Sequence, residues 1–204
     1  MATSRLEAFS DGVFAIAATL LILNVAESGS PLSHALLSIW PSYVAYAVSF
    51  MTIGVIWINH HTVMDQIGKV DRLFLLINVA FLMLIAFIPF PTRLLAQNIR
   101  SEGAQAAAVA YGITLTLTAI LFNVLWRYAA HRGRLLRAAA DARVVQGIGR
   151  SYLVGPITYF AATLVALVSP QLGAALFAAI ALFYVLESSL FGGTVSSGNS
   201  SGHT

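Results

Sequence analysis

The residues most able to do chemistry in this sequence are ionisable side chains inside or beside long apolar stretches. Asp11 lies near the start of the first stretch, His60 and His61 close the second, and Glu187 lies near the end of the last. A charge inside an apolar membrane helix is costly, so such residues usually pair with one another or mark an ion or proton pathway. The chemistry expected of them is cation attraction, proton transfer or hydrogen bonding.

Three polar side chains are expected at a similar depth in the membrane, near its cytoplasmic face, if the N-terminus is cytoplasmic. Asp11 lies about two turns into the first helix, His60 ends the second, and Asn78 lies about two turns into the third. A network of polar and aromatic groups there would satisfy hydrogen bonds that lipid cannot. Its expected members are Arg5, Ser10, Asp11, Trp57, His60 and Asn78. Two interpretations stay open, a network that fixes helix packing and one that takes part in gating or proton sensing.

The two adjacent histidines do not favour a metal site. Successive helical residues point about 100 degrees apart, so His60 and His61 cannot both face one ion without distortion. The chain has no cysteine, which excludes disulfides, thiolate ligands and cysteine nucleophiles. We therefore predict no metal, no cofactor and no catalytic residue, and the chain is not expected to be an enzyme.

The elements that must position these groups are membrane helices. The 204 residues are 58% hydrophobic and only 9% charged, whereas a soluble domain has about 25% charged residues. We predict an all-α polytopic membrane protein with one domain over residues 1–191. Its six expected spans are about 6–26, 41–62, 73–97, 104–127, 151–168 and 171–190. Residues 192–204 are rich in Gly and Ser and are predicted to form a disordered cytoplasmic tail.

A cleaved signal peptide is the alternative for the first stretch, but the acids Glu7 and Asp11 and the apolar spans that follow favour a transmembrane helix.

In the third span, Pro89 and Pro91 each lack a backbone donor, so we expect the helix to kink or end near Ile88.

The distribution of basic residues predicts the orientation. With the N-terminus inside, nine of the eleven Lys and Arg residues are cytoplasmic, and only Arg93 and Arg100 lie outside. Both termini are then cytoplasmic in a plasma-membrane protein. The net charge of +3 follows from this bias, so no nucleic-acid partner is predicted. The six arginines from Arg127 to Arg150 are open to two interpretations, a binding site for anionic lipid or a positively charged inner loop.

One face of the first helix carries Ile16, Thr19 or Leu20, and Leu23. On periodicity alone, such a face touches lipid or a neighbouring helix. A pore-lining face is the alternative, favoured by nearby small alanines, which permit close helix approach, and by the single deep hydroxyl of Thr19.

The sequence Arg5-x-x-x-Phe9-Ser10-Asp11 at the start of the first helix resembles the signature of the TMEM175 potassium-channel family. Trp57-x-x-His60-His61 at the end of the second span agrees with that resemblance. So do Pro89-Phe90-Pro91-Thr92 and the expected six-span layout, which covers the whole chain, although the specific motifs fall within residues 5–92.

The resemblance implies a homotetramer whose first helices line a central pore. Ile16 then corresponds to the hydrophobic constriction, with Leu20 and Leu23 further along the pore. The motif residues and their partners correspond to a structural network: Arg5, Phe9, Ser10, Asp11, Trp57, His60 and Asn78. The permeant ion implied is K⁺.

An isoleucine ring can gate by excluding water, but it offers no oxygen to replace a hydration shell. Thr19 is the deep hydroxyl of this helix, so we predict that it provides modest selectivity for K⁺ over Na⁺. A proton-coupled secondary transporter using Asp11 and His60 is the main alternative function. An intramembrane enzyme with Asp11 and the histidine pair is a third, but no metal or nucleophile motif supports it.

Overall fold

The computed structural model describes residues 3–25, 36–138, 140 and 142–192, without the side chains of 142–144, 146–153 and 188–192. Its architecture is a bundle of α-helices. We number them α1 Thr3–Leu20, α2 Trp40–Gln66, α3 Arg72–Phe87, α4 Pro89–Asn98, α5 Ala104–Ala130, α6 Ala142–Val168 and α7 Pro170–Gly192. Short 3-10 turns, Leu21–Asn24 and His131–Gly133, follow α1 and α5.

Several of these helices are long and apolar enough to cross a membrane. Within the described part of the chain there are five: Thr3–Asn24, Trp40–Gln66, Arg72–Asn98, Ala104–Gly133 and Pro170–Glu187. Val154–Val168 in α6 is a shorter apolar stretch. The chain is thus an all-helical, multi-pass membrane protein, while the count of six spans stays a prediction. The tail predicted to be disordered lies, from residue 193 onward, outside the described residues.

Helix α5 lies at the centre of the bundle, where it packs against α3, α4, α6 and α7. A side chain at Gly112 would overlap the hydroxyl of Thr163 and approach Phe177 to 2.7 Å, so the absent Cβ lets α5 and α6 pack closely. Three threonines of α5 donate their hydroxyls to the carbonyl four residues back: Thr114, Thr116 and Thr118. Their polar atoms are therefore satisfied within the helix.

The third span is interrupted at Ile88, between α3 and α4. Pro89 has no N–H for the carbonyl of Ile85, and the backbone N–H of Ile88 donates to that carbonyl instead at 3.2 Å. The hydroxyl of Thr92 and its backbone N–H both donate to the Ile88 carbonyl. The predicted break near Ile88 is confirmed.

Helix α1 lies at the edge of the bundle and packs on α2 and α3. One of its faces is buried, with Leu6, Ser10, Phe14 and Ala17 against the neighbouring helices. Beyond Leu20 the chain tightens into the 3-10 turn, where the side-chain amide of Asn24 donates to the carbonyl of Pro89 at 2.9 Å. That bond attaches the end of α1 to the break between α3 and α4.

A loop clasp, defined by Asp71, Tyr128 and Arg134, closes the opposite end of the bundle. One carboxylate oxygen of Asp71 caps α3 by accepting the Phe74 N–H at 2.8 Å. The other accepts the Tyr128 hydroxyl at 2.6 Å and the Arg134 guanidinium at 2.9 Å. Backbone bonds between residues 66–69 and 135–137 join the same two loops.

Candidate functional site

The face of α1 opposite the buried one is exposed along the whole helix. Phe9, Ile16 and Leu23 recur every seven residues on it, and Ile16 and Leu23 are 60% and 69% exposed. Leu20 lies beside them and is also exposed. Because none of the described helices covers this face, it is available to lipid, to a pore or to another copy of the chain.

Thr19 is an exposed polar residue on this apolar face. Its hydroxyl donates a hydrogen bond to the carbonyl of Ile16 at 2.9 Å. With its proton committed to the backbone, the oxygen presents only lone pairs outward. Such an oxygen attracts cations and has no proton to offer an anion.

Ser10, Asn78 and His60 form a buried hydrogen-bonded chain that joins α1, α3 and α2. The amide nitrogen of Asn78 donates to the Ser10 hydroxyl at 3.2 Å, and its oxygen lies 3.0 Å from Nε2 of His60. The imidazole of His60 lies between two aromatic rings. It is parallel to the ring of Phe81, with 5.6 Å between ring centres, and tilted to that of Phe14, with 5.5 Å between centres. The bond to the Asn78 oxygen assigns the proton to Nε2 in the neutral ring.

Asp11 and Trp57 form a second, separate pair on the exposed surface. The indole N–H of Trp57 donates to the Asp11 carboxylate at 2.9 Å, and its ring stacks on His61 at 6.1 Å. Of the seven residues predicted to form one network, the structure thus joins three in the core and two at the surface. Arg5 and Phe9 lie on the exposed side of α1.

Sequence reasoning missed a buried hydroxyl cluster in the other half of the bundle. The Ser49 hydroxyl lies 2.9 Å from that of Thr92 and 3.0 Å from that of Tyr111, and all three are almost fully buried. The cluster joins α2, α4 and α5. The available signal was Thr92, directly after the proline pair, because a threonine in an apolar span can donate its hydroxyl to the carbonyl four residues back, here that of Ile88, and still accept a hydrogen bond from another helix.

Within the described residues, no group of three or more His, Asp or Glu side chains is close enough to hold a metal ion. The arrangement instead consists of an exposed apolar helix face with one acceptor oxygen, supported from behind by buried hydrogen bonds. This combination defines a class, the helical multi-pass membrane proteins, in which one helix at the edge of the bundle leaves an apolar face exposed.

Comparison of this sequence with known proteins identifies a family within that class. The model of the family described as endosomal/lysosomal potassium channel TMEM175 matches residues 5–89. A potassium channel of Chamaesiphon minutus is 40% identical over 192 residues, which cover 91% of this chain and 95% of that protein. The chain belongs to the TMEM175 family of ion channels.

Two further relatives place the chain within this family. The crystal structure of a lysosomal potassium-selective channel TMEM175 homolog from Chamaesiphon minutus superimposes with a TM-score of 0.83 at 38% identity, covering 91% of this chain and 97% of that one. The endosomal/lysosomal proton channel TMEM175 of Gallus gallus is 34% identical over 142 residues, covering 63% of this chain and 28% of that protein. Relatives in the family thus carry the names of two permeant ions.

Proposed function

We propose that this protein is a K⁺-permeable channel of the plasma membrane, formed by four copies around a central pore lined by α1, with both termini in the cytoplasm. The observation that carries this proposal is the exposed, mainly apolar face of α1 around Ile16 and Leu20, which no described helix of the chain covers. The full-length similarity to a potassium channel of Chamaesiphon minutus supports it.

Ile16 forms the gate in this proposal. A ring of isoleucine side chains makes a narrow apolar constriction that loses its water when the helices approach. Leu20, at the end of α1, and Leu23, within the 3-10 turn, extend the apolar lining. The bond from Asn24 to Pro89 supports this arrangement, because it attaches the end of α1 to α4.

Thr19 is the residue that discriminates between ions. Its hydroxyl oxygen is an acceptor because its proton is donated to Ile16. One such oxygen per subunit can replace only part of a hydration shell, so K⁺ is favoured over Na⁺ modestly. Carbonyl filters achieve high selectivity with successive rings of oxygens.

A proton-coupled transporter that relays protons through Asp11 and His60 is the second candidate. The burial of an ionisable side chain at His60 favours it. Against it, His60 hydrogen-bonds to Asn78 while Asp11 bonds to Trp57, so the two residues belong to separate groups.

The proposal is tested with the purified protein in liposomes, by measuring K⁺, Na⁺ and H⁺ fluxes separately. A channel gives non-saturating K⁺ flux that follows the electrochemical gradient, larger than the Na⁺ flux and independent of an imposed pH gradient. Saturable uptake that requires the pH gradient would identify the transporter instead. Proton flux exceeding K⁺ flux under equal driving force would overturn K⁺ as the principal permeant ion.

A further inference from the structure

A cavity of about 280 Å³ lies between α2, α4, α5 and α7, at the end of the bundle opposite the loop clasp. Its walls are small apolar side chains, among them Ala45, Val48, Ala96, Ala174 and Ala178. Ligand pockets in proteins are typically about 300–1,000 Å³. The cavity therefore has room for one flexible chain but not for a bulky ligand.

The inner end of the cavity is made by Ser49, Tyr111 and Phe177. The hydroxyls of Ser49 and Tyr111 bond to each other, and that of Ser49 also bonds to Thr92. A buried water is held by two to four polar groups that lack other partners. Because these hydroxyls already have partners, the cavity favours an apolar occupant over water.

The rim carries the groups that suit the polar end of a lipid. Trp40 is half exposed there, and the guanidinium of Arg100 lies 4.8 Å from the centre of its ring. Tryptophan and arginine are typical of the membrane–water interface, and a guanidinium forms paired hydrogen bonds with phosphate oxygens. The amide of Gln171 donates to the carbonyl of Ile99 at 3.2 Å and closes the rim on the side of α7.

We propose that this cavity binds one acyl chain of a phospholipid, with the phosphate of the same lipid at Arg100. The apolar walls accept the chain, the self-satisfied hydroxyls limit its depth, and the positive rim pairs with the negative phosphodiester. A lipid bound there would fill the space between α2 and α7. This site is distinct from α1 and does not depend on which ion the protein conducts.

The test uses the full chain, purified in detergent and stripped of lipid, with bound lipid counted by native mass spectrometry. Dioleoylphosphatidylglycerol is the probe, and dioleoylglycerol, which has the same chains without the phosphate, is the comparison. We expect added phosphatidylglycerol to bind, and dioleoylglycerol to bind roughly tenfold more weakly, because it lacks the phosphate that forms charged hydrogen bonds with Arg100. Arg100→Gln is expected to remove that difference.

Two variants of adjacent residues test the cavity itself. Ala178→Phe fills it, whereas Ala179→Phe places the same ring on the exposed side of α7, outside the cavity lining. We expect Ala178→Phe to lose the tightly bound lipid and Ala179→Phe to keep it. Ala174→Leu is a milder filling variant, and size-exclusion elution establishes that each variant is folded. Wild-type lipid retention in both filling variants would overturn the proposal, as would equal binding of phosphatidylglycerol and dioleoylglycerol.

Discussion

His60 and His61 are adjacent in the sequence but have opposite surroundings. His60 is 2% exposed, stacked on Phe81 and bonded to Asn78. His61 has a side chain that is 58% exposed and lies 3.9 Å from Asp65. The two residues therefore provide a matched pair in which one ring stabilises the helix core and the other does not.

We predict that His60→Ala lowers the free energy of unfolding by about 2–4 kcal/mol, because it leaves the Asn78 oxygen unpaired and opens a cavity between aromatic rings. His61→Ala should change it by less than about 0.5 kcal/mol, as exposed substitutions usually do. The measurement is SDS-induced unfolding in mixed micelles. Equal losses for the two variants would contradict the structural role of His60.

Thr19 can be tested by removing its oxygen or only its methyl group. We predict that Thr19→Ala lowers the K⁺ to Na⁺ permeability ratio towards one, because the acceptor oxygen on the α1 face is lost. Thr19→Ser keeps a hydroxyl that can donate to the Ile16 carbonyl, so it should retain most of the ratio. Bi-ionic reversal potentials in planar bilayers give the ratio directly. If Thr19→Ala left it unchanged, discrimination would reside elsewhere.

At the residue scale, the sequence predicted the depth of each polar residue along its helix better than its hydrogen-bond partner. Depth along a helix follows from residue number, so Ser10, His60 and Asn78 could be expected to be near one another. The rotation of each helix depends on long-range packing, and it turns Asp11 towards Trp57 and His60 towards Asn78. For this reason one expected network appears as two separate groups.

Among the helices, α5 and α6 approach each other closely at Gly112. We predict that Gly112→Ala lowers the midpoint of SDS-induced unfolding. The added Cβ overlaps the Thr163 hydroxyl, and overpacking of this kind costs about 1–3 kcal/mol. Gly54→Ala is the control, since nothing lies within 4 Å of a Cβ at that position in α2. Alanine is the better helix former, so the control should be neutral or slightly stabilising. A lowered midpoint in Gly54→Ala of the same size would indicate a general intolerance of side chains.

The loop clasp should be insensitive to physiological pH. The hydrogen bond from Tyr128, followed by that from the Phe74 N–H, lowers the pKa of Asp71. A lowered folded-state pKa means that the stabilisation is complete above the unfolded value of about 3.9 and is lost as pH falls through the folded pKa.

We therefore predict that Asp71→Asn lowers the melting temperature by the same amount at pH 5 and pH 8. Asp65→Asn, which alters only an exposed contact with His61, should have little effect at pH 8. Thermal melts followed by size-exclusion chromatography measure both variants. A deficit of Asp71→Asn that disappeared between pH 8 and pH 5 would show that the carboxylate titrates in that range.

The helices and the break at Ile88 were largely predictable, because the length of an apolar stretch and the position of a proline can be read from neighbouring residues alone. The break at Ile88 follows from Pro89 alone. The clasp was not predictable, since it joins Asp71 to Tyr128 and Arg134, each more than fifty positions away, and residues of these types are ordinary at helix ends and in loops. The exposed side of α1 was predicted as a face, but periodicity does not identify what covers it.

At the scale of the whole molecule, the described helices differ in how much of their surface is exposed. Helix α5 is enclosed by four other helices, whereas α1 packs on α2 and α3 and leaves an apolar stripe outside. Other helices also expose apolar residues, as expected of lipid-facing surfaces. On α1, Thr19 adds an exposed acceptor oxygen to the apolar face, and a pore lined by copies of α1, as proposed, would use that oxygen.

The most direct test of this account places a single cysteine on α1 of the cysteine-free chain. Ile16→Cys and the control Leu182→Cys, on the exposed side of α7, are reconstituted in liposomes and treated with a cationic thiol reagent while K⁺ flux is recorded. If α1 lines the ion path, modification at position 16 blocks the flux and modification at position 182 leaves it unchanged. Complete labelling of Ile16→Cys with undiminished K⁺ flux would show that ions pass elsewhere.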